Sequence, residues 1–194
     1  MPTDTNRPAL RTVEPVAVHT TAEERLTVEQ WLLSTVPSSG RDRIRTEWQE
    51  HTVALLPLGN LFSAVRLPGS LVQAAGLMRG KLDRAQIDAF LDEALDGGPV
   101  ICDPQGHRYY ALVPAGMPES YKAAAEDWHP LRVDILGRGT YLGVPPLHVT
   151  EFDKKTSVSY WSVPLQSPAM LCTPLNVARL VAAALQWLTV GGES

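Results

Sequence analysis

Asp134 is the only acid inside the stretch Leu131–His148, LRVDILGRGTYLGVPPLH. A carboxylate at the end of an extended run can hold a divalent cation or serve a phosphate site. Its other use is to cap a turn or to pair with Arg132 or Arg138. A second group lies in Gln105-Gly106-His107-Arg108-Tyr109-Tyr110. Arg108 carries a planar fork of donors that suits phosphate oxygens, and otherwise reads as an exposed strand arginine. His107 offers a base or a ligand, or simply a turn histidine in solvent. Cys102 and His107 allow a thiolate–imidazole pair, although the sequence shows no third group to orient it. A zinc site from Cys102, His107, His148 and Cys172 has the elements but not the ligand spacing. Arg41, Arg43 and Arg45 suit phosphates or a solvated helix face, and Asp42 and Glu47 dilute them. Tyr109, Tyr110, Tyr160 and Trp161 suit base stacking on a sheet or packing in a core.

The elements that must position these groups follow from pattern and punctuation. Thr21 caps a helix over Ala22–Val36, with Leu26, Val28, Trp31, Leu32 and Val36 near one face, and Pro37-Ser38-Ser39-Gly40 ends it. Arg41–Trp48 reads as a short helix. Val53–Leu58 and Leu61–Leu67 flank Gly59-Asn60 as strand, tight turn and strand. Ser70 is placed to cap a helix over Leu71–Met78, and Asp83 to cap Arg84–Leu95, which Asp96-Gly97-Gly98 closes. Pro99–Cys102 and Arg108–Val113 read as strands. Residues 115–130 form a polar connection with one helical turn near Ser120–Ala125. Residues 131–144 read as a hairpin around Gly137-Arg138-Gly139, stopped by Pro145-Pro146. Ser157–Val163 is a further strand. Thr173 and Pro174 open a last helix to about Leu188. Its buried side is expected from Leu175, Val177, Leu180, Val181, Ala184, Leu185 and Leu188. Strands interleaved with helices predict an α+β fold with a mixed or antiparallel sheet.

The chain has 194 residues, enough for one domain at 21–190 behind a mobile leader at 1–20. Hydrophobic residues at 44% and charged residues at 20% supply an ordinary globular core without staples. The net charge of −4 does not favour nucleic acid or anionic lipid as a partner, though a local basic face remains open. Two cysteines outside any CxxC pair read as reduced thiols. No run approaches a membrane span, and no signal sequence is evident, so a cytoplasmic location is expected.

Several segments, in order, resemble the bacterial primase–polymerase family, the bifunctional DNA primase/polymerase N-terminal domain of the archaeo-eukaryotic primase superfamily. Val133-Asp134-Ile135 followed by Gly139–Pro146 is similar to its third motif, and Tyr160-Trp161 to an aromatic pair downstream. Gln105–Pro114 resembles the second motif, whose histidine would fall on Arg108, with His107 one position early. Leu61–Pro68 resembles the first-motif strand, but Val65 and Leu67 stand at its acid positions and Arg66 lies between them. The resemblance covers roughly residues 45–165. It implies an α+β core like an RNA-recognition module. In the family the acids hold divalent metals and the histidine contacts nucleotide phosphate.

With valine and leucine at two acid positions, the resemblance implies a motif-degenerate member. The expected role is a binding or regulatory module without catalysis or a cofactor, whose ligand is a nucleotide, nucleic acid or protein. Asp134 is the candidate catalytic position. Arg108, His107, Arg66 and Tyr109 are the candidate phosphate or nucleic-acid contacts. One alternative is an active nucleotidyltransferase using Mg²⁺ or Mn²⁺, with ligands relocated to Glu151 or Asp153. Another is a protein–protein adaptor that docks through its leader and last helix.

Overall fold

The computed structural model describes residues 21–77 and 83–191. The leader assigned to residues 1–20 and the end of the 71–78 helix lie outside the described residues. In chain order the elements are α1 (Thr21–Leu33), α2 (Ser38–Glu50), β1 (Ala54–Pro57), β2 (Phe62–Pro68), α3 (Gly69–Ala75) and α4 (Arg84–Ala94). Then follow β3 (Val100–Asp103), β4 (Arg108–Pro114), α5 (Met117–Ser120), α6 (Lys122–Trp128) and a 3-10 turn at His129–Leu131. The chain continues with β5 (Asp134–Leu136), β6 (Tyr141–Val144), β7 (Tyr160–Val163) and α7 (Pro174–Gly191). The fold is α+β, and every strand pairing described is antiparallel.

The main sheet has five strands in the order β5-β2-β4-β3-β7. From β2 onward the chain runs strand, helices, strand, strand, helices, strand. In space the fourth of these strands lies beside the first, then come the third and the second. This is the split β-α-β-β-α-β arrangement, with β7 added at the β3 edge.

Period-two alternation sorts the strand residues to two cores. Val65, Leu67, Val100, Cys102, Tyr109, Ala111 and Val113 face α3, α4 and α7. Phe62, Ala64, Ile101, Leu112 and Trp161 face α1, α2 and the small β1–β6 sheet. Both faces are therefore covered, which explains why β2 reads as a continuous apolar run. The indole of Trp48 ties α2 to β6 by donating to the Val144 carbonyl at 2.9 Å.

Local signals fared unevenly. Asp83 caps α4, accepting from the Ala85 amide, and Thr173 caps α7, accepting from the Asn176 amide at 3.2 Å. Ser70 caps nothing; Pro68 is the N-cap of α3, and no side-chain cap bond is made there. Pro37–Gly40 does not merely end α1, because α2 already begins at Ser38. The connection after β4 holds two helices, α5 and α6, rather than one turn.

Neither expected hairpin forms. β1 pairs with β6, in a sheet separate from β2, and β5 pairs with β2 rather than β6. In both cases the turn residues bend the chain from one sheet into the other. On α7, Val177, Leu180, Val181 and Ala184 are buried, but Leu175, Leu185 and Leu188 are exposed, which corrects the expected apolar face.

Candidate functional site

At one end of the main sheet β2 and β3 finish while β4 and β5 begin. Here Arg66, Cys102, Arg108, Tyr109 and Asp134 line a cleft of about 750 Å³. The Gly106-His107 turn, the start of α3, Arg84 and Ile87 of α4, and the His129–Arg132 corner complete the wall. The five residues singled out from sequence, Arg66, His107, Arg108, Tyr109 and Asp134, thus line a single cavity.

Register explains the arrangement. Arg66 lies opposite Asp134 on β5 and opposite Tyr110 on β4, while Pro68 lies opposite Arg108. Arg66, Arg108 and Asp134 therefore share one face of the sheet. Val65 and Leu67, where the resemblance would put the acids, are fully buried on the other face. A carboxylate at either position would point away from Asp134, since a one-residue step reverses the side chain. On that face of β2, Arg66 stands opposite Asp134 with Ala64 and Pro68 two residues to either side, and none of the three side chains carries an oxygen ligand.

Asp134 is tied to Arg66 and lies beside His129. Arg66 donates to Oδ2 through Nε at 3.1 Å and through Nη2 as well. His129 Nδ1 lies 3.3 Å from Oδ1. The expected partners Arg132 and Arg138 are thus replaced by Arg66 and His129. Burial would raise the Asp134 carboxyl, but the Arg66 hydrogen bonds and charge, helped by His129, hold it below the usual carboxylate range. The pair is half-buried, so solvent screens it only in part.

Around this pair the lining carries the positive charges of Arg66, Arg84, Arg108 and Arg132, with the imidazoles of His107 and His129, against the single carboxylate of Asp134. Two lining residues are in the left-handed region, His107 at φ 51° and Arg132 at φ 60°. Such conformations are costly for residues with a side chain and occur where surrounding contacts impose them. The His107 carbonyl accepts from the Gly69 amide at 2.9 Å, which fastens its turn to the β2–α3 junction.

Other sequence candidates resolve differently. Tyr160 and Trp161 are buried in the core and present no stacking surface, and Tyr109 reaches the cleft wall while only 3% exposed. Cys102 lies under the cleft with Arg84 Nη1 3.4 Å from its sulfur. Burial pushes its thiol up to about 11, the reverse of an activated nucleophile. Cys172 is buried and donates to the Pro99 carbonyl, and His148 lines a different cleft beside α1 and α2, so the zinc grouping is not assembled. Among the described residues, no three His, Cys, Asp or Glu side chains are grouped to hold a metal ion. Glu151 and Asp153 are not part of the cleft lining, and Asp153 caps its own turn through Lys155 and Thr156. Arg43 and Arg45 pair with Glu47, Glu29 and Asp42 on the α1–α2 side.

Compared with protein-family models, curated proteins and solved structures, the chain matches none. Its chemistry rests on the cleft itself.

Sequence reasoning missed Arg84 and His129. Arg84 directly follows a helix cap, an unremarkable place for a charge. Only the fold brings the ring of Phe152 beneath its guanidinium, 4.3 Å from the centroid.

Proposed function

We propose that this chain is a catalytically degenerate primase–polymerase-like domain that binds a phosphate-bearing ligand of nucleotide size in the sheet-end cleft. One observation carries the reading: four arginines and two histidines line the cavity, and its single carboxylate is already engaged by Arg66. Guanidinium forks suit phosphate oxygens, and a half-sheltered site strengthens that attraction. The cavity volume falls within the roughly 300–1,000 Å³ of small-ligand sites. A local cationic cleft on a chain of net charge −4 favours a compact anion over a long polyanion. The split β-α-β-β-α-β strand order agrees with the implied ancestry.

Nucleotidyl transfer is the competing reading. Two divalent cations need several hard oxygen donors facing one another. The β2 residue opposite Asp134 is Arg66, and its same-face neighbours are Ala64 and Pro68. An arginine already seated on Asp134 holds Oδ2, one of the two oxygens a cation would need. Titrating the protein with a nucleoside triphosphate, beside a primer-synthesis assay with Mg²⁺ or Mn²⁺, tests the proposal. Binding without synthesis is expected; synthesis abolished by Asp134→Ala would overturn it.

A further inference from the structure

The cationic side chains of the cleft are not equivalent. Arg108 and Arg132 are exposed. Water screens them, and each loses little when it has no partner. Arg66 and Arg84 are half-buried. The charge of Arg66 is met by Asp134. Arg84 has no ion pair among the described residues.

Arg84 is nonetheless held in place. Its guanidinium lies over the ring of Phe152, and one nitrogen rests against the Cys102 sulfur. A stacked guanidinium keeps its in-plane N–H groups free to donate. The nearest acid on its own helix, Asp88, does not answer it. Both Asp88 oxygens accept from Tyr160, and Oδ1 accepts from Ser162 as well. The Asp88 carboxyl sits above its usual range because of burial, despite those bonds and the Arg84 charge. Arg84 is therefore a preset cation with unfilled donors at the wall of the cavity. Positioning it beforehand removes much of the ordering cost on binding.

Resting on the phosphate-binding reading above, we infer that Arg84, stacked on Phe152, is the anchor for a phosphate group of a small polyphosphate such as a nucleoside triphosphate. Arg108 and Arg132 act as rim charges that attract the ligand and add little once it is seated.

The test is calorimetric titration in EDTA with a nucleoside triphosphate, with inorganic triphosphate and with a short single-stranded oligonucleotide. Wild type is compared with Arg84→Ala, Arg84→Lys, Phe152→Leu and Arg132→Ala, each checked for folding by circular dichroism. Losing a charge-assisted donor pair at a sheltered site weakens binding by about tenfold or more, so Arg84→Ala should do so. Arg84→Lys should recover only part of that loss, since an ammonium neither forks nor stacks as well. Phe152→Leu should weaken binding without altering any group that touches the ligand, and Arg132→Ala should change it by about threefold or less. The two triphosphates separate recognition of phosphate alone from recognition of the nucleoside, and Arg84 dependence is expected with either. Triphosphate binding that persists unchanged in both Arg84 variants overturns the assignment but spares the site. Failure of wild type to bind any triphosphate overturns both. Arg84-dependent binding of the oligonucleotide alone overturns the small-ligand proposal. Should Arg84→Ala not fold, Arg84→Lys and Phe152→Leu carry the same comparison.

Discussion

Arg66 and Asp134 lie directly opposite each other on β2 and β5, and the guanidinium grips one carboxylate oxygen through two of its nitrogens. The third strand residue of this neighbourhood, Tyr110, closes the same row from β4. The contact neutralises the carboxylate that the resemblance assigned to metal binding. It also supplies the position where an incoming phosphate would compete for Arg66.

Asp134→Asn should lower stability by about 1 kcal/mol at neutral pH, in line with a half-buried pair. The sign with pH follows from linkage. The folded carboxyl is held below its unfolded value, so its contribution is complete above about pH 4 and disappears as pH falls through the folded value. The gap in urea midpoint between wild type and Asp134→Asn should therefore close on acidification. A gap that persists unchanged into strong acid would show that the pair is not its source.

Asp88 behaves in the opposite sense. Burial raises its carboxyl, so folding is favoured most while it is protonated and is penalised as pH rises through that raised value. Asp88→Ala should cost about 2 kcal/mol, because the Tyr160 and Ser162 hydroxyls lose their acceptor beside the core. Asp88→Asn keeps an acceptor and should cost much less, gaining on wild type as pH rises. Thermal melts at several pH values give the answer, and equal losses for the two variants would contradict it.

Gly59 permits the two sheets to meet. It has φ +87°, and a Cβ there would lie 2.5 Å from the Arg138 amide nitrogen. Gly59→Ala combines backbone strain with a clash against main chain, so a loss of about 2 kcal/mol or more is expected. Urea denaturation measures it; a loss under about 0.5 kcal/mol, the range of neutral surface changes, would mean that the turn yields freely.

Elements defined by local chemistry were legible from sequence. Asp83 announces α4 and Thr173 announces α7, because a cap satisfies helix amides only a residue or a turn away. β3 and β4 were legible as apolar runs on either side of the Asp103-Pro104-Gln105-Gly106 turn. Partner choice among strands was not. Gly59-Asn60 and Gly137-Arg138-Gly139 do mark turns, yet β2 is apolar on both faces and takes the centre of the main sheet, leaving β1 to find β6. Strand pairing is decided by burial across the whole chain, which no turn reports.

The candidate site was partly legible. Arg66, His107, Arg108, Tyr109 and Asp134 line a single cleft, whereas Arg84 depends on Phe152 and Cys102, which the fold brings from other strands and loops. The facing of Val65 and Leu67 away from Asp134 required the β2–β5 register.

The most direct test of the central claim is the affinity of Asp134→Asn for a nucleoside triphosphate, measured in EDTA and again with Mg²⁺ or Mn²⁺. If the cleft binds phosphate through its cations, wild type binds without metal. Removing the competing carboxylate then tightens binding by about fivefold, some 1 kcal/mol. Binding that requires the metal and is lost in Asp134→Asn would contradict the account.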